Sequence, residues 1–447
     1  MRNWVHLDKE YIWHPFTQMR EWLQADNIII ERADGVYLYD TNGNKYLDGI
    51  SSLWVNIHGH RKKEIDEAII NQINKVSHST LLGLGSSPSI ELAEKLVQIS
   101  PPKLQKVFYS DSGSTAVEVA LKIAFQYWKN RGYEEKRLFV GLDQAYHGDT
   151  IGSVSLGGID IFHSIFHPLL FHTLVIPTPF PYRNPDLTAE QLRDQCLNTF
   201  EKIAEERGSE IAALIVEPLV QGAAGMIVHP EGFLKGLETI CRKHKILLIC
   251  DEVATGFGRT GAMFACEQEA VEPDILCLAK GLTGGYLPLA ATLVSNEIFE
   301  AFLGSYTEYK TFFHGHSYTG NALACAAAQA CLEIFEKDHV LENLEPRIMF
   351  LENLLREKLG ALPHVGDIRQ CGMMVGIELV EDKALRRTFP VELGMGVRVT
   401  QDIRKHGIIL RPLGDVVVIM PPLAIEIDEI KTMVTAVEKS INEMCGI

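Results

Sequence analysis

The sequence has no pair of cysteines at CxxC spacing, no run of 18 apolar residues, no internal repeat and no low-complexity tract. Its nine cysteines, at 196, 241, 250, 266, 277, 325, 331, 371 and 445, are scattered and odd in number, and several sit inside apolar runs. That pattern fits buried, reduced thiols better than a disulfide or zinc framework. Without a long apolar run no membrane-spanning helix is expected. The charged start MRNWVHLDKEYIWHP lacks the apolar stretch of a secretory signal, and the closing EMCGI leaves too few residues after its cysteine for prenylation. A cytoplasmic protein is predicted. Basic residues are also scarce, 42 against 58 acidic, giving a net charge of −16. Sequence-blind binding to nucleic acid or anionic membrane is thereby disfavoured, although a local basic pocket for a small anion is compatible with it.

What is present is an ordinary globular composition, 46% hydrophobic and 22% charged, over 447 residues. That length exceeds what one core organises, so at least two cores are expected. From about 61 to 335, short apolar runs alternate with amphipathic stretches. KVFYS (106–110), RLFVGL (137–142), IAALIVEP (211–218), ILLICD (246–251) and ILCLAK (275–280) read as strands buried on both faces. The stretches between them, such as SGSTAVEVALKIAFQYW, read as helices, which together predict an α/β domain with a mostly parallel sheet. Residues 28–48 carry the turn signals Asp34-Gly35 and Asn42-Gly43 of a small antiparallel region. After the α/β block come a helix EPRIMFLENLLREKL, strands near MMVGIELV and VVVIMPP, and a closing helix with Ile430, Met433, Val434, Val437, Ile441 and Met444 at helical spacing. The predicted organisation is a large α/β domain over 61–334 and a smaller α+β domain assembled from 1–60 and 335–447.

Two strand ends 29 residues apart carry the strongest chemistry, Asp251 in ILLICDEVATGFGRTG and Lys280 in DILCLAKGLTGG. A lysine at the end of an apolar strand is pushed toward the neutral amine, which can form a Schiff base with an aldehyde. An aspartate at the mouth of the same sheet can keep a pyridine nitrogen protonated, so that the ring accepts electrons. Taken as a lone pair, the same two residues also read as a helix cap and a solvent-seeking lysine. Ser112, Gly113 and Ser114 follow a strand and open a helix, a suitable phosphate cradle, although serine caps are common. Tyr146 and His147 in DQAYHGDT offer rings to stack on a cofactor, or belong to a plain surface loop. Glu217 ends a strand before Pro218. HGHSYTGN (314–321) brings Ser317 and Thr319 to a loop as further hydroxyl donors. The His58/His60 and His314/His316 pairs lack a third ligand at metal spacing, so no metal is predicted.

DEVATGFGRTG followed by CLAKGLTGG resembles the signature of the class III aminotransferases, which use pyridoxal 5′-phosphate on the fold-type I scaffold. WHPFTQM, ISSLWVNIHGH, FQYWKN, YHGDT, VQGAAGM and RPLGD extend the resemblance over nearly the whole chain. They narrow it to the branch that aminates 7-keto-8-aminopelargonate in biotin synthesis. The resemblance implies that Lys280 holds the cofactor aldehyde, Asp251 its ring nitrogen, and Tyr146 and Val253 its two faces. Gly113 and Ser114 would bind phosphate, joined by His316 and Ser317 from the neighbouring subunit of a homodimer. Phe16, Trp54, Tyr146, Lys280, Gly315 and Arg411 would line the substrate pocket, with Arg411 pairing the substrate carboxylate; Arg259 and Glu217 would lie close to the cofactor. S-adenosylmethionine is the expected amino donor. Phe16 in place of the tyrosine of WHPYT, Leu53 in place of an aromatic beside Trp54, and Val418 in place of a late tyrosine make lysine the rival donor. Other class III transaminases share Asp251 and Lys280 but are not expected to combine WHPF with RPLGD. A catalytically dead binding module would normally lose the lysine.

Overall fold

The computed structural model describes residues 2–446. Its centre is a seven-stranded sheet among the described residues, built from β1 (Leu104–Ser110), β2 (Leu138–Leu142), β3 (Leu174–Ile176), β4 (Ile211–Val216), β5 (Leu247–Asp251), β6 (Ile275–Leu278) and β7 (Ala290–Ser295). Across the sheet the order is β1-β7-β6-β5-β4-β2-β3. β7 runs antiparallel to both of its neighbours, whereas β6, β5, β4, β2 and β3 are parallel in succession. The sheet is therefore mostly parallel, as expected, with one reversed strand that the apolar runs did not announce.

Each long apolar run splits between two cores because successive side chains point to opposite faces. Ile215, Leu247, Ile249, Ile275 and Cys277 pack under the helix Gly113–Asn130 with Val117, Ala120 and Ala124. Leu214, Val216, Leu248, Cys250, Leu276 and Leu278 enter the larger core on the other face. Helices on both faces explain why these strands are apolar throughout rather than alternating.

The chain ends meet beside this sheet. The strands Ile30–Asp34, Tyr37–Asp40 and Lys45–Asp48 form an antiparallel meander, and Lys45–Asp48 pairs in parallel with Ile408–Ile409. A second small sheet contains Val365–Cys371, Met374–Leu379, Val416–Ile419 and Arg411–Leu413 in that order. The helices Glu345–Leu359 and Ile427–Cys445 pack with these strands, and Ile430, Met433, Val434, Val437 and Ile441 of the latter are buried. All nine cysteines are free thiols, seven of them buried.

One buried cation fixes the strand entries that lead to the site. Lys136 is only 4% exposed, and its Nζ donates to the carbonyls of Gly208, Ile211 and Lys245 at 2.9, 2.8 and 2.7 Å. It thus ties the start of β4 to the loop before β5. Lys136→Met strands three buried acceptors and is expected to cost about 2–4 kcal/mol. Denaturant unfolding of the variant and the parent measures this, and equal midpoints would contradict it.

Candidate active site

The groups that carry chemistry collect where parallel strands end, since the loops at carboxyl ends are free to converge outside the sheet. Asp251 is the last residue of β5, Lys280 follows β6, Glu217 follows β4, Tyr146 and His147 follow β2, and Ser112 caps the helix after β1. They line one cavity of about 690 Å³ together with Trp54, Gly113, Ser114, Asp149, Thr150 and Val253.

Lys280 sits in the left-handed region with φ 43°, an uncommon and strained conformation for a lysine. Its Nζ lies 4.6 Å from the centre of the Trp54 ring. Burial lowers its pKa from 10.5 to about 8, against the opposing pull of the Asp251 and Glu217 carboxylates. At pH 7 roughly a tenth of the side chain is then neutral, about 300 times more than for an ordinary lysine. Reductive methylation of Lys280 in the cofactor-free protein should accordingly rise through pH 8. A midpoint near that of free lysine would refute this environment.

Asp251 is buried, and an ionised carboxylate only accepts hydrogen bonds. The 2.7 Å contact with His147 is therefore Nδ1–H donating to Asp251 Oδ2, while the Val253 N–H donates to Oδ1 at 3.1 Å. His147 Nε2 is buried without a partner, as that tautomer leaves it a bare acceptor. Here the sequence reading fell short. It offered His147 as a stacking ring, whereas the ring orients Asp251. Glu217 accepts the amides of Tyr146 (3.1 Å) and Gly222 (3.0 Å), and burial raises its pKa to about 7. The Tyr146 hydroxyl donates to Asp149 at 2.8 Å; burial and that carboxylate hold its pKa far above the usual tyrosine range.

The helix Gly113–Asn130 points its N-terminus into the cavity. Ser112 and Thr115 close a capping box in which the Ser112 Oγ accepts the Thr115 N–H, so Ser112 caps the helix while still lining the cavity. The first intrahelical bond runs from Ala116 N–H to Ser112 C=O at 3.0 Å, which leaves the Gly113 and Ser114 amides to meet an anion. The Ser114 Oγ accepts N–H bonds from Asp149 (2.7 Å) and Thr150 (3.2 Å), so its own hydrogen is available to donate. That approach requires Gly148. Its φ is 115°, and a Cβ there would lie 1.9 Å from the Ser114 Oγ.

Residues 20–441 match the family model described as aminotransferase class III. The chain belongs to the class III aminotransferases. It is 57% identical over 438 residues to the adenosylmethionine-8-amino-7-oxononanoate aminotransferase of Nitratidesulfovibrio vulgaris, covering 97% of this chain and 81% of that one. It is 52% identical to the Geobacter sulfurreducens protein of the same name, covering 100% and 98%. The solved structure of the enzyme so named from Methanocaldococcus jannaschii superposes with a TM-score of 0.94 at 48% identity, covering 98% of both chains. An amine transaminase from an uncultivated Pseudomonas species, solved in its PLP-bound form, superposes with a TM-score of 0.92 at 37% identity, covering 98% and 99%.

Pyridoxal phosphate is the cofactor of class III aminotransferases, and the cavity fits it. An anion cradle, a buried carboxylate and a partly neutral amine stand around one space. Gly113 keeps that space open, since a Cβ there would come within 2.5 Å of the Val253 side chain. Other site residues named from the sequence lie elsewhere in the single chain. Gly315, His316 and Ser317 are on a loop outside the cavity lining, where the Ser317 carbonyl accepts from His78 at 2.7 Å. Arg411 opens the strand Arg411–Leu413, paired with Val418, and does not line the cavity of one chain. Phe16 is exposed, and its ring meets Phe162 edge-on at 5.4 Å; Phe162 in turn stands 6.3 Å from Tyr146. Phe162, unmarked in the sequence, thus links Phe16 to the cavity.

Arg259 lies close enough to Lys280 for its charge to join burial in lowering that lysine's pKa. It is 1% exposed and does not line the cavity; its guanidinium donates to the carbonyls of Pro421 at 2.5 Å and Asn56 at 2.7 Å. Burial lowers its pKa to about 9. It joins the large domain to both chain ends and makes no ion pair with Glu217. The two HxH pairs turn to protein groups. His58 contacts the Cys331 carbonyl at 3.0 Å, His60 contacts Asp48 at 2.9 Å, and His314 contacts Lys122 at 3.0 Å.

Proposed function

We propose that this chain transfers an amino group from S-adenosylmethionine to 7-keto-8-aminopelargonate, giving 7,8-diaminopelargonate for biotin synthesis. The observation that carries transamination is the convergence of Lys280, Asp251 and the helix N-terminus of Gly113 and Ser114 on one cavity. The general fold does not choose a substrate, because amine transaminases at 37% and 35% identity share it. The names of the relatives at 48–57% identity across the chain favour the biotin-pathway reaction.

When bound, pyridoxal phosphate supplies an electrophilic aldehyde and an electron sink. The protein's part is to hold it and to move protons. Ser114 and the helix amides would hold the phosphate, Tyr146 and Val253 would flank the ring, and Asp251, oriented by His147, would keep a proton on the ring nitrogen. The Lys280 amine would take the proton from the donor's α-carbon and deliver it across the intervening nitrogen to the former aldehyde carbon of the cofactor, two bonds away; with the keto acid the same transfer would run in reverse. Arg411, whose strand partner Val418 packs with Trp54, would pair the substrate carboxylate from the edge of that wall. Trp54, Phe16, Tyr146 and Gly315 wall the pocket.

The working unit in this reading is a homodimer, with Gly315, His316 and Ser317 reaching the partner's phosphate site. Their position off the cavity supports it, as does the exposed apolar surface of Leu82 (90%), Leu84, Phe313 and Tyr318. We divide the chain at 60/61 and 334/335, supported by the pairing of Lys45–Asp48 with Ile408–Ile409. A cytoplasmic setting suits nine free thiols. No helix of the described residues is long and apolar enough to cross a membrane.

Lysine as donor is the second reading. Val418 packs in one apolar cluster with Trp54, so this wall offers no hydroxyl to a sulfonium donor. Initial rates at several donor concentrations test the scheme. Parallel double-reciprocal lines are expected, and intersecting lines would reject two half-reactions on one site.

A further inference from the structure

The residues Ser51–Trp54 form a left-handed turn, with φ of 51°, 50°, 79° and 68° in succession and no glycine among them. Left-handed geometry is unfavourable for an L-residue, so four in succession store strain that other contacts must offset. Backbone hydrogen bonds from Leu53 and Trp54 to Ile50 and from Val55 and Asn56 to Ser51 close the turn, and one buried carboxylate anchors its second residue by side-chain contact. Asp48, whose side chain is fully buried, accepts from the Ser52 amide at 2.9 Å and the Ser52 hydroxyl at 2.7 Å. It also accepts from His60 Nε2 at 2.9 Å. His60 Nδ1 in turn accepts from the Asn56 amide nitrogen at 3.2 Å, which fixes the ring as a donor toward Asp48. On the other side, the Ser51 hydroxyl donates to the Met420 carbonyl at 2.7 Å.

The turn delivers Trp54 to the cavity, with its indole facing Lys280 Nζ at 4.6 Å and close enough to Gly222 that a Cβ there would lie 3.3 Å from the ring. A right-handed turn from the same anchor would carry the indole elsewhere. We propose that Asp48 is a positioning residue for the substrate side of the cavity. Its carboxylate holds Ser51–Trp54 left-handed and so fixes Trp54 beside Lys280. The kinetic consequence rests on the transaminase reading above; the conformational one does not.

Three variants separate this role from ordinary structural support. Asp48→Ala removes the restraint. Ser52→Pro keeps Asp48 and His60 but cannot adopt positive φ or donate an amide, and Ser52 is exposed, so it guards against a misfolded Asp48 variant. Asp48→Ala/Ser52→Gly lacks the carboxylate yet carries a residue that tolerates φ 50°. Hydrogen exchange over residues 53–56 of the cofactor-free protein should accelerate at least about tenfold in the first two variants and return most of the way in the third. For the loaded enzyme, kcat/KM for the keto acid should fall about tenfold or more, mainly through KM, with visible absorbance retained, and recover within about threefold in the double variant. Wild-type exchange and kinetics in Ser52→Pro, or no recovery with Gly at position 52, would overturn the proposal. Wild-type protein without transaminase activity would instead defeat the functional reading, leaving the exchange result to judge the turn.

Discussion

Replacing Lys280 with alanine is expected to lower kcat by at least about 10⁴-fold, because in the proposed scheme one side chain performs both the covalent capture and the proton transfers. Added amines should restore a small part of the rate by standing in for the missing base. The same residue carries a stability cost of opposite sign. Its pKa is about 8 in the fold against 10.5 for the ordinary side chain. Between those values the unfolded chain holds more protons than the folded one, so the cofactor-free protein gains stability as pH rises through that window. Below pH 8 the penalty is fully present. Lys280→Met, which keeps the side-chain volume, should therefore be more stable than the parent at pH 7 by up to about 3 kcal/mol, less what the contact with Trp54 contributes. The difference should vanish above pH 10.5, as thermal unfolding of both proteins across pH would show. A variant that is active, or that melts earlier than the parent at pH 7, contradicts this account of the lysine.

Asp251→Asn should lower kcat by about 10²–10⁴-fold, the equivalent of losing 3–5 kcal/mol from a buried charge pair. An amide cannot keep the ring nitrogen protonated, so the electron sink weakens at the step where the proton leaves carbon. KM should change little, since Asp251 touches no part of the substrate in this scheme. The fold should persist, because the amide oxygen can still accept the His147 Nδ1–H or the Val253 N–H that now hold the carboxylate at 2.7 and 3.1 Å. Single-turnover rates and the melting curve, measured together, separate the two effects. Unchanged turnover would assign the ring nitrogen to another partner, and a collapsed melting curve would make Asp251 a structural residue.

The legibility of this chain followed the physics of each feature. Asp251 and Lys280 stood out because charged groups closing apolar strands are costly and so point to chemistry, and both line the cavity. The strands of the parallel block were readable because burial on both faces makes them continuous apolar runs. β7 was not, since AATLVS is rich in small and hydroxyl residues and follows a loop of glycine and proline. The role of His147 depended on a neighbour 104 residues away, which no local pattern encodes. Arg259 was placed near the cofactor by the family signature, but its hydrogen bonds to backbone carbonyls of both chain ends reach partners 162 and 203 residues away, which no local pattern encodes. The left-handed turn at Ser51–Trp54 had no glycine to announce it. Gly315, His316 and Ser317 fall off the cavity of one chain, so their role needs a second chain, which a single sequence does not display.

The most direct test of the central claim is an assay of the purified protein with 7-keto-8-aminopelargonate, offering S-adenosylmethionine and lysine as donors in parallel. The account predicts 7,8-diaminopelargonate with S-adenosylmethionine. Product with lysine alone would move the donor assignment while keeping the reaction. Absence of product with either donor, from protein that binds pyridoxal phosphate, would contradict the account.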